Sequence, residues 1–161
     1  ELIASHSLAT LDEGQYIAEL AKIVGQAIAS DHIHAYKILA DDSVQHIFEN
    51  GQILDNGRTI DKGVGVQGYI VKNKKAYFSN NVSRDPIFSQ EVNSGVKAEI
   101  CFPVVIDGFI IGSIHLQNMS EGKEFNRDHI LFFQELLNQV RSQLLNLKMY
   151  LSSKFLNETL K

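Results

Sequence analysis

A chain of 161 residues with 44% hydrophobic side chains, 21% charged side chains and two prolines holds enough apolar surface for one globular domain, which excludes a disordered or fibrous protein. Nineteen acidic against fifteen basic residues leave a formal charge of -4, and the bases are scattered except for KNKK at 72–75, which reads as a solvated helix end; no extended nucleic-acid footprint is expected. The single cysteine excludes an intrachain disulfide framework and a multi-cysteine zinc site, and no apolar run reaches the roughly 18 residues of a spanning helix, so the expected setting is cytoplasmic, without membrane contact.

Asp12 is placed to cap a first helix, with Gln15 three positions on and Ile17, Leu20, Val24, Ala27 and Ile28 following on one stripe. HAYKIL (34–39) and VQHIF (44–48), separated by the turn-forming ADDS, predict a hairpin. Residues 50–63 are rich in Asn, Gly and Asp and predict mostly loop, with one short strand near Gln52 to Leu54. VQGYIVKNK then reads as a short helix and AYFSNN as a short strand. Asp85 before Pro86 predicts the start of a helix or turn. The strongest hairpin signal is EICFPVVI (99–106), the two-residue turn Asp107-Gly108, and FIIGSIHLQN (109–118). Asn126 caps a final helix in which Ile130, Phe133, Leu137, Val140, Leu144, Leu147 and Leu151 recur at steps of three and four.

This order predicts an α+β fold: a central antiparallel sheet of about six strands joined by hairpins, in a single domain spanning 1–161. An N-terminal helix within 1–30 and a C-terminal helix over about 126–161 cover one face. Loops and short helices from 50–97 roof the other, an arrangement suited to holding a small molecule.

Strand 110–118 alternates in two registers, one of which carries His115 and Gln117. Under such a roof these side chains are hydrogen-bonding groups facing a pocket. GVGVQG at 63–68 has the G-x-G-x-x-G spacing but follows the polar DNGRTIDK, not an apolar strand, so the dinucleotide reading fails. Its glycines allow a sharp turn and a helix start with free N–H groups. Cys101, inside an apolar strand, reads as a small buried residue, with nucleophile or redox roles requiring exposure or an activating partner. The six histidines show no metal-ligand spacing, and no metal site is expected from them. No catalytic triad or carboxylate pair is visible. The apolar stripe continuing beyond Val140 predicts a parallel helical dimer contact.

GVGVQGYIVKNKKAYFSNNVSRDPIFSQ, AEICFPVVIDGFIIGSIHLQN and EFNRDHILFFQELLNQV together resemble a GAF domain over nearly the full length. The resemblance implies a small-molecule sensor domain governing an attached output such as a diguanylate cyclase. Bilin attachment through Cys-His is not matched, because Phe102 follows Cys101; the free methionine sulfoxide reductases of the family use several cysteines. The Asn-Lys, Phe, Asp-Glu signature of cyclic-nucleotide regulatory domains is degraded here: Asn118 precedes Met119, and Phe125 precedes Asp128 and His129 at a shortened spacing without the Glu.

What the resemblance implies is a non-catalytic sensor requiring no cofactor, with a cyclic nucleotide as regulatory ligand, cAMP before cGMP, working as a homodimer through its terminal helices. On that expectation His115 and Gln117 read the base, with Cys101 beside them, and Val64, Gly65, Val66 and Gln67 meet the phosphate. Phe88 covers the base, and Asn80, Asn81 and Asp85 reach the sugar or order the roof. The competing expectations are a ligand-free dimerisation module and, third, a sulfoxide reductase.

Overall fold

The computed structural model describes residues 12–55, 57–60, 65–88 and 95–159. Helix α1 (Glu13–Ala27) begins where Asp12 accepts a hydrogen bond from the Gly14 N–H at 3.2 Å; Ile17, Leu20, Val24 and Ile28 of the predicted stripe are buried, joined by Tyr16 and Ala21, whereas Ala27, in the last turn and off the sheet, is exposed. Strands β1 (His32–Ile38), β2 (Val44–Glu49) and β3 (Gln52–Ile53) follow as a meander, and β4 (Thr59–Ile60) returns to the edge of β2. Helix α2 (Gly65–Asn73), β5 (Tyr77–Ser79) and a single 3-10 turn (Val82–Arg84) lead to the long hairpin β6 (Ala98–Ile106) and β7 (Phe109–Asn118). Helix α3 (Arg127–Thr159) closes the chain, with Asn126 Oδ1 accepting from the Asp128 N–H at 2.9 Å.

All pairings are antiparallel, and the sheet order is β3-β2-β1-β7-β6-β5, the predicted six strands, with β4 beside them on β2. The β6–β7 turn places Asp107 and Gly108 at φ 52° and 83°. Two successive left-handed residues make the mirror turn whose twist matches the strands, which is why Asp-Gly signalled it.

One irregularity matters for the site. Ala35 pairs with Phe48 but Tyr36 with His46, so Ile47 is an extra residue in β2. The bulge lets both Ile47 and Phe48 enter the helix-side core while His46 stays beside Tyr36 on the opposite face.

The sheet separates two apolar layers. Beneath α1 and α3 lie Ala35, Phe48, Ile100, Phe102, Val104, Ile114 and Leu116, with Phe102 stacked on Phe133 at 4.6 Å. Gly112 permits the close approach of α1: a Cβ there would stand 2.3 Å from the Tyr36 carbonyl oxygen and 2.5 Å from Ile17 Cδ1. On the other face Val66, Ile70, Val82, Phe88, Val96 and Cys101 form a smaller cluster under α2. The first half of α3 packs on the sheet through Phe133, Leu137 and Val140, whereas Met149, Tyr150, Phe155 and Leu156 further along are exposed. Among the described residues no helix is long and apolar enough to cross a membrane.

Candidate functional site

Residues paired across antiparallel strands project to the same face, so the register assembles the site. Glu99 pairs with Gln117, Cys101 with His115 and Pro103 with Ser113 across β6 and β7. On the other side of β7, His115 pairs with His34 and Ser113 with Tyr36, and Tyr36 in turn with His46. Four strands, β2, β1, β7 and β6, thus place a polar floor on the face opposite α1 and α3.

The floor is tightly bonded. His115, buried, has Nε2 at 2.9 Å from both Gln67 Nε2 and Ser113 Oγ, and Nδ1 at 3.2 Å from Glu99 Oε2 and 3.1 Å from Cys101 Sγ. Ser113 Oγ donates to Gln67 Oε1 at 3.2 Å, and Gln117 Nε2 donates to Glu99 Oε1 at 3.2 Å. Gln67 reaches the floor because α2 lies across it, with Val66 and Ile70 anchored in the cluster beside it. Glu99 is 1% exposed, so its carboxylate depends on these partners in place of water.

A second row runs outward. Tyr36 meets the edge of His115 at 5.0 Å and stacks on His46 at 4.8 Å, and His34 Nδ1 lies 3.1 Å from His46 Nε2. Burial, and then the charge of His46, hold His34 below the ordinary histidine value; burial is also the leading cause for His46, which is lowered too. Both rings therefore favour the neutral form.

The structure brings His115, Gln117, Gln67 and Cys101 together, with Gly65 (φ 55°) and Val66 at the start of α2 nearby in the same layer. Val64 lies outside the described residues. Asp85 orders the roof: Oδ1 accepts from the Ile87 and Phe88 N–H groups at 2.8 and 3.1 Å, and Oδ2 from Tyr77 OH at 2.7 Å. With burial, that carboxylate lifts the Tyr77 phenol to about 12. Phe88 is fully buried against Tyr77 as part of the roof's core. Asn80 turns elsewhere, bracketing the Phe125 backbone with two hydrogen bonds of 2.9 Å at the entry to α3. Asn81 accepts from Ser83 at 3.3 Å within its own turn.

Sequence reasoning missed Glu99, Ser113, Tyr36, His34 and His46. For Glu99 a signal existed, since a lone carboxylate in the apolar strand AEICFPVVI, two residues before Cys101, shares its face. For His46 none did, because the bulge decides its side.

The model of the GAF domain family matches residues 12–144. No curated protein matches the sequence. Solved structures with the same fold include residues 122 to 287 of a methyl-accepting chemotaxis protein, at 17% identity and TM-score 0.68, covering 92% of this chain and 98% of that one. The GAF domain of an Acinetobacter phosphoenolpyruvate-protein phosphotransferase is similar at 14% identity and TM-score 0.66, covering 87% of each. The type II free methionine-R-sulfoxide reductase of Thermoplasma acidophilum is similar at 15% identity and TM-score 0.63, covering 83% of this chain and 95% of the enzyme. At these identities the likeness concerns the fold alone.

Proposed function

As the chain belongs to the GAF domain family, a regulatory small-molecule sensor fold, we propose that it is a non-catalytic sensor whose ligand lies over the polar floor beneath α2. The observation that carries this reading is the floor itself. Glu99, Ser113, His115 and Gln67 are buried polar side chains gathered on one face, where an apolar sheet would be simpler to stabilise.

The ligand in this reading is a purine cyclic nucleotide, cAMP ahead of cGMP. An amide such as Gln117 or Gln67 offers the donor and acceptor that match the adenine edge, whereas Glu99, the only carboxylate of the inner floor among the described residues, already bonds His115 and Gln117. The N–H groups at the start of α2 suit the phosphate. Occupancy reaches an attached output, such as a diguanylate cyclase, through a homodimer of the terminal helices. Only a difference in ligand affinity between two arrangements of α2 and α3 can bias that output.

A second reading, a ligand-free dimerisation module, is favoured by one observation: among the described residues no buried side-chain nitrogen or oxygen lacks a hydrogen-bond partner. A sulfoxide reductase has less support, since Cys101 is the sole cysteine and is fully buried.

Calorimetric titration with cAMP, cGMP, cyclic dinucleotides and amino acids separates these. Binding of cAMP, weakened by Gln117→Ala, is the expected outcome. No heat with either cyclic mononucleotide overturns the nucleotide assignment, and no heat with any metabolite, with an unchanged dimer, favours the module. Thiol-dependent reduction of free methionine sulfoxide would instead identify an enzyme.

A further inference from the structure

Glu99, Cys101 and His115 converge on the inner floor, each within hydrogen-bonding distance of the other two. Their facing atoms form a triangle: Cys101 Sγ to His115 Nδ1 is 3.1 Å, His115 Nδ1 to Glu99 Oε2 is 3.2 Å, and Cys101 Sγ to Glu99 Oε2 is 3.5 Å. A thiol and an imidazole Nδ1 bring at most two protons to this triangle, and a carboxylate brings none. Two protons serve all three short edges only where one of them is shared between two acceptors.

A tetrahedral metal ion would account for all three edges without a shared proton. With metal–sulfur near 2.3 Å and metal–nitrogen and metal–oxygen near 2.0 Å, tetrahedral angles set the donor atoms about 3.3–3.5 Å apart. The observed edges match to within a few tenths of an ångström. We propose that Glu99, Cys101 and His115 form a binding site for a divalent transition metal ion, zinc being the best match to a thiolate, imidazole and carboxylate donor set.

The surroundings fit this role. The ring nitrogen of His115 that faces away from the triangle lies 2.9 Å from Ser113 Oγ, which accepts its proton when Nδ1 binds the ion and so fixes the ring's orientation as an outer hydrogen bond does for a ligating histidine; the Gln67 amide at 2.9 Å then turns its oxygen to the same nitrogen. The second carboxylate oxygen of Glu99 accepts from Gln117, fixing that ligand too. Charge also balances: a dication with a thiolate, a carboxylate and a neutral imidazole sums to zero, a favourable total for three residues that are each at most 3% exposed. Binding breaks the Cys101 S–H bond, releases its proton to solvent and forms the sulfur–metal bond, with no change of oxidation state. Three protein donors leave a fourth position for water or for a sensed molecule. The other cluster of donors among the described residues, His34, His46 and Glu49, has no thiolate, and its carboxylate is exposed.

The site was invisible in linear spacing, because its ligands come from two strands and are joined by the pairing of Cys101 with His115. The proposal does not rest on the nucleotide reading: a failed nucleotide titration leaves it standing, and a metal-free protein leaves the nucleotide reading standing.

The test is the untagged chain expressed in medium supplemented with zinc or, separately, cobalt, so that the ion is present while the chain folds. The expected result is one ion per chain by elemental mass spectrometry, and in the cobalt form a thiolate-to-cobalt charge-transfer band with the visible bands of a tetrahedral ion. Cys101→Ser abolishes the charge-transfer band and Glu99→Gln lowers zinc content, both at unchanged circular dichroism; Gln117→Ala weakens zinc about 10- to 100-fold. Substoichiometric metal in the wild-type chain, or a cobalt form without the charge-transfer band, overturns the proposal even if the variants do not fold. Full cobalt content retained in Cys101→Ser with an unaltered spectrum places the ion elsewhere, on His34, His46 and Glu49, and overturns it as well.

Discussion

Gln67 of α2 and His115 of β7 stand 48 positions apart in sequence and 2.9 Å apart in space, amide nitrogen to ring Nε2. This contact ties the helix above the floor to the strand that forms it. Val66 and Ile70 on the same helix belong to the roof's core. One side chain thus joins the floor to the layer above.

Gln67→Ala removes that tie and leaves Ser113 as the remaining partner of His115 Nε2. The expected loss is about 1–2 kcal/mol in urea unfolding, the cost of a broken buried hydrogen bond. A loss near zero would mean that Gln67 does not reach the floor in solution.

Glu99 holds both His115 and Gln117. Glu99→Ala also removes the partner of Cys101 Sγ, leaving the buried Cys101 and His115 and the half-buried Gln117 without it, and should cost about 1–3 kcal/mol for each buried group left unsatisfied, with Glu99→Gln well below that. Equal losses for the two variants would show that side-chain volume, not hydrogen bonding, sets the stability here.

At Gly112 a methyl group would stand 2.3 Å from the Tyr36 carbonyl oxygen. Gly112→Ala must therefore push α1 or β1 away and should destabilise by about 1–3 kcal/mol, read as a lower urea midpoint at unchanged slope. A neutral substitution would mean that α1 lies further from the sheet than described.

The pH dependence follows from His34 and His46, whose folded values lie below the ordinary 6.5. The folded chain takes up these protons less readily than the unfolded one, so the stability they contribute is complete above pH about 6.5 and is lost as pH falls toward the lowered folded values. Melting temperature should decline on acidification from pH about 7 to about 5.5, and His34→Gln with His46→Gln should flatten that decline. A slope unchanged in the double variant would assign the effect to other groups.

Beyond Val140, α3 presents Met149, Tyr150, Phe155 and Leu156 to solvent at 57–66% exposure. If a dimer covers them, the chain truncated after Gln143 sediments as a monomer and keeps its circular dichroism per residue in the sheet region. A full-length chain that is itself monomeric at high concentration would remove the helical dimer from the account.

Most elements were legible because their causes are local. Asp12 and Asn126 cap their helices through bonds two residues long. Asp107-Gly108 turns because that pair tolerates two positive φ angles. That His115 and Gln117 share one face of the sheet followed from the period of two in β7. The small strand β4 was read as loop, since Thr59 and Ile60 are extended only because the edge of β2 offers them backbone partners.

The sequence by itself determined the element order, the hairpin and which faces of the helices are apolar, since capping, turn geometry and periodicity act over a few residues. Only the tertiary structure decided the site. The pairing of Cys101 with His115, the bulge that leaves His46 beside Tyr36, and the descent of Gln67 from α2 depend on how the whole chain buries its apolar faces at once. A shift of one residue in any of these registers would turn the same polar side chains into the helix-side core, so their position is set by packing across the sheet and not by any local motif.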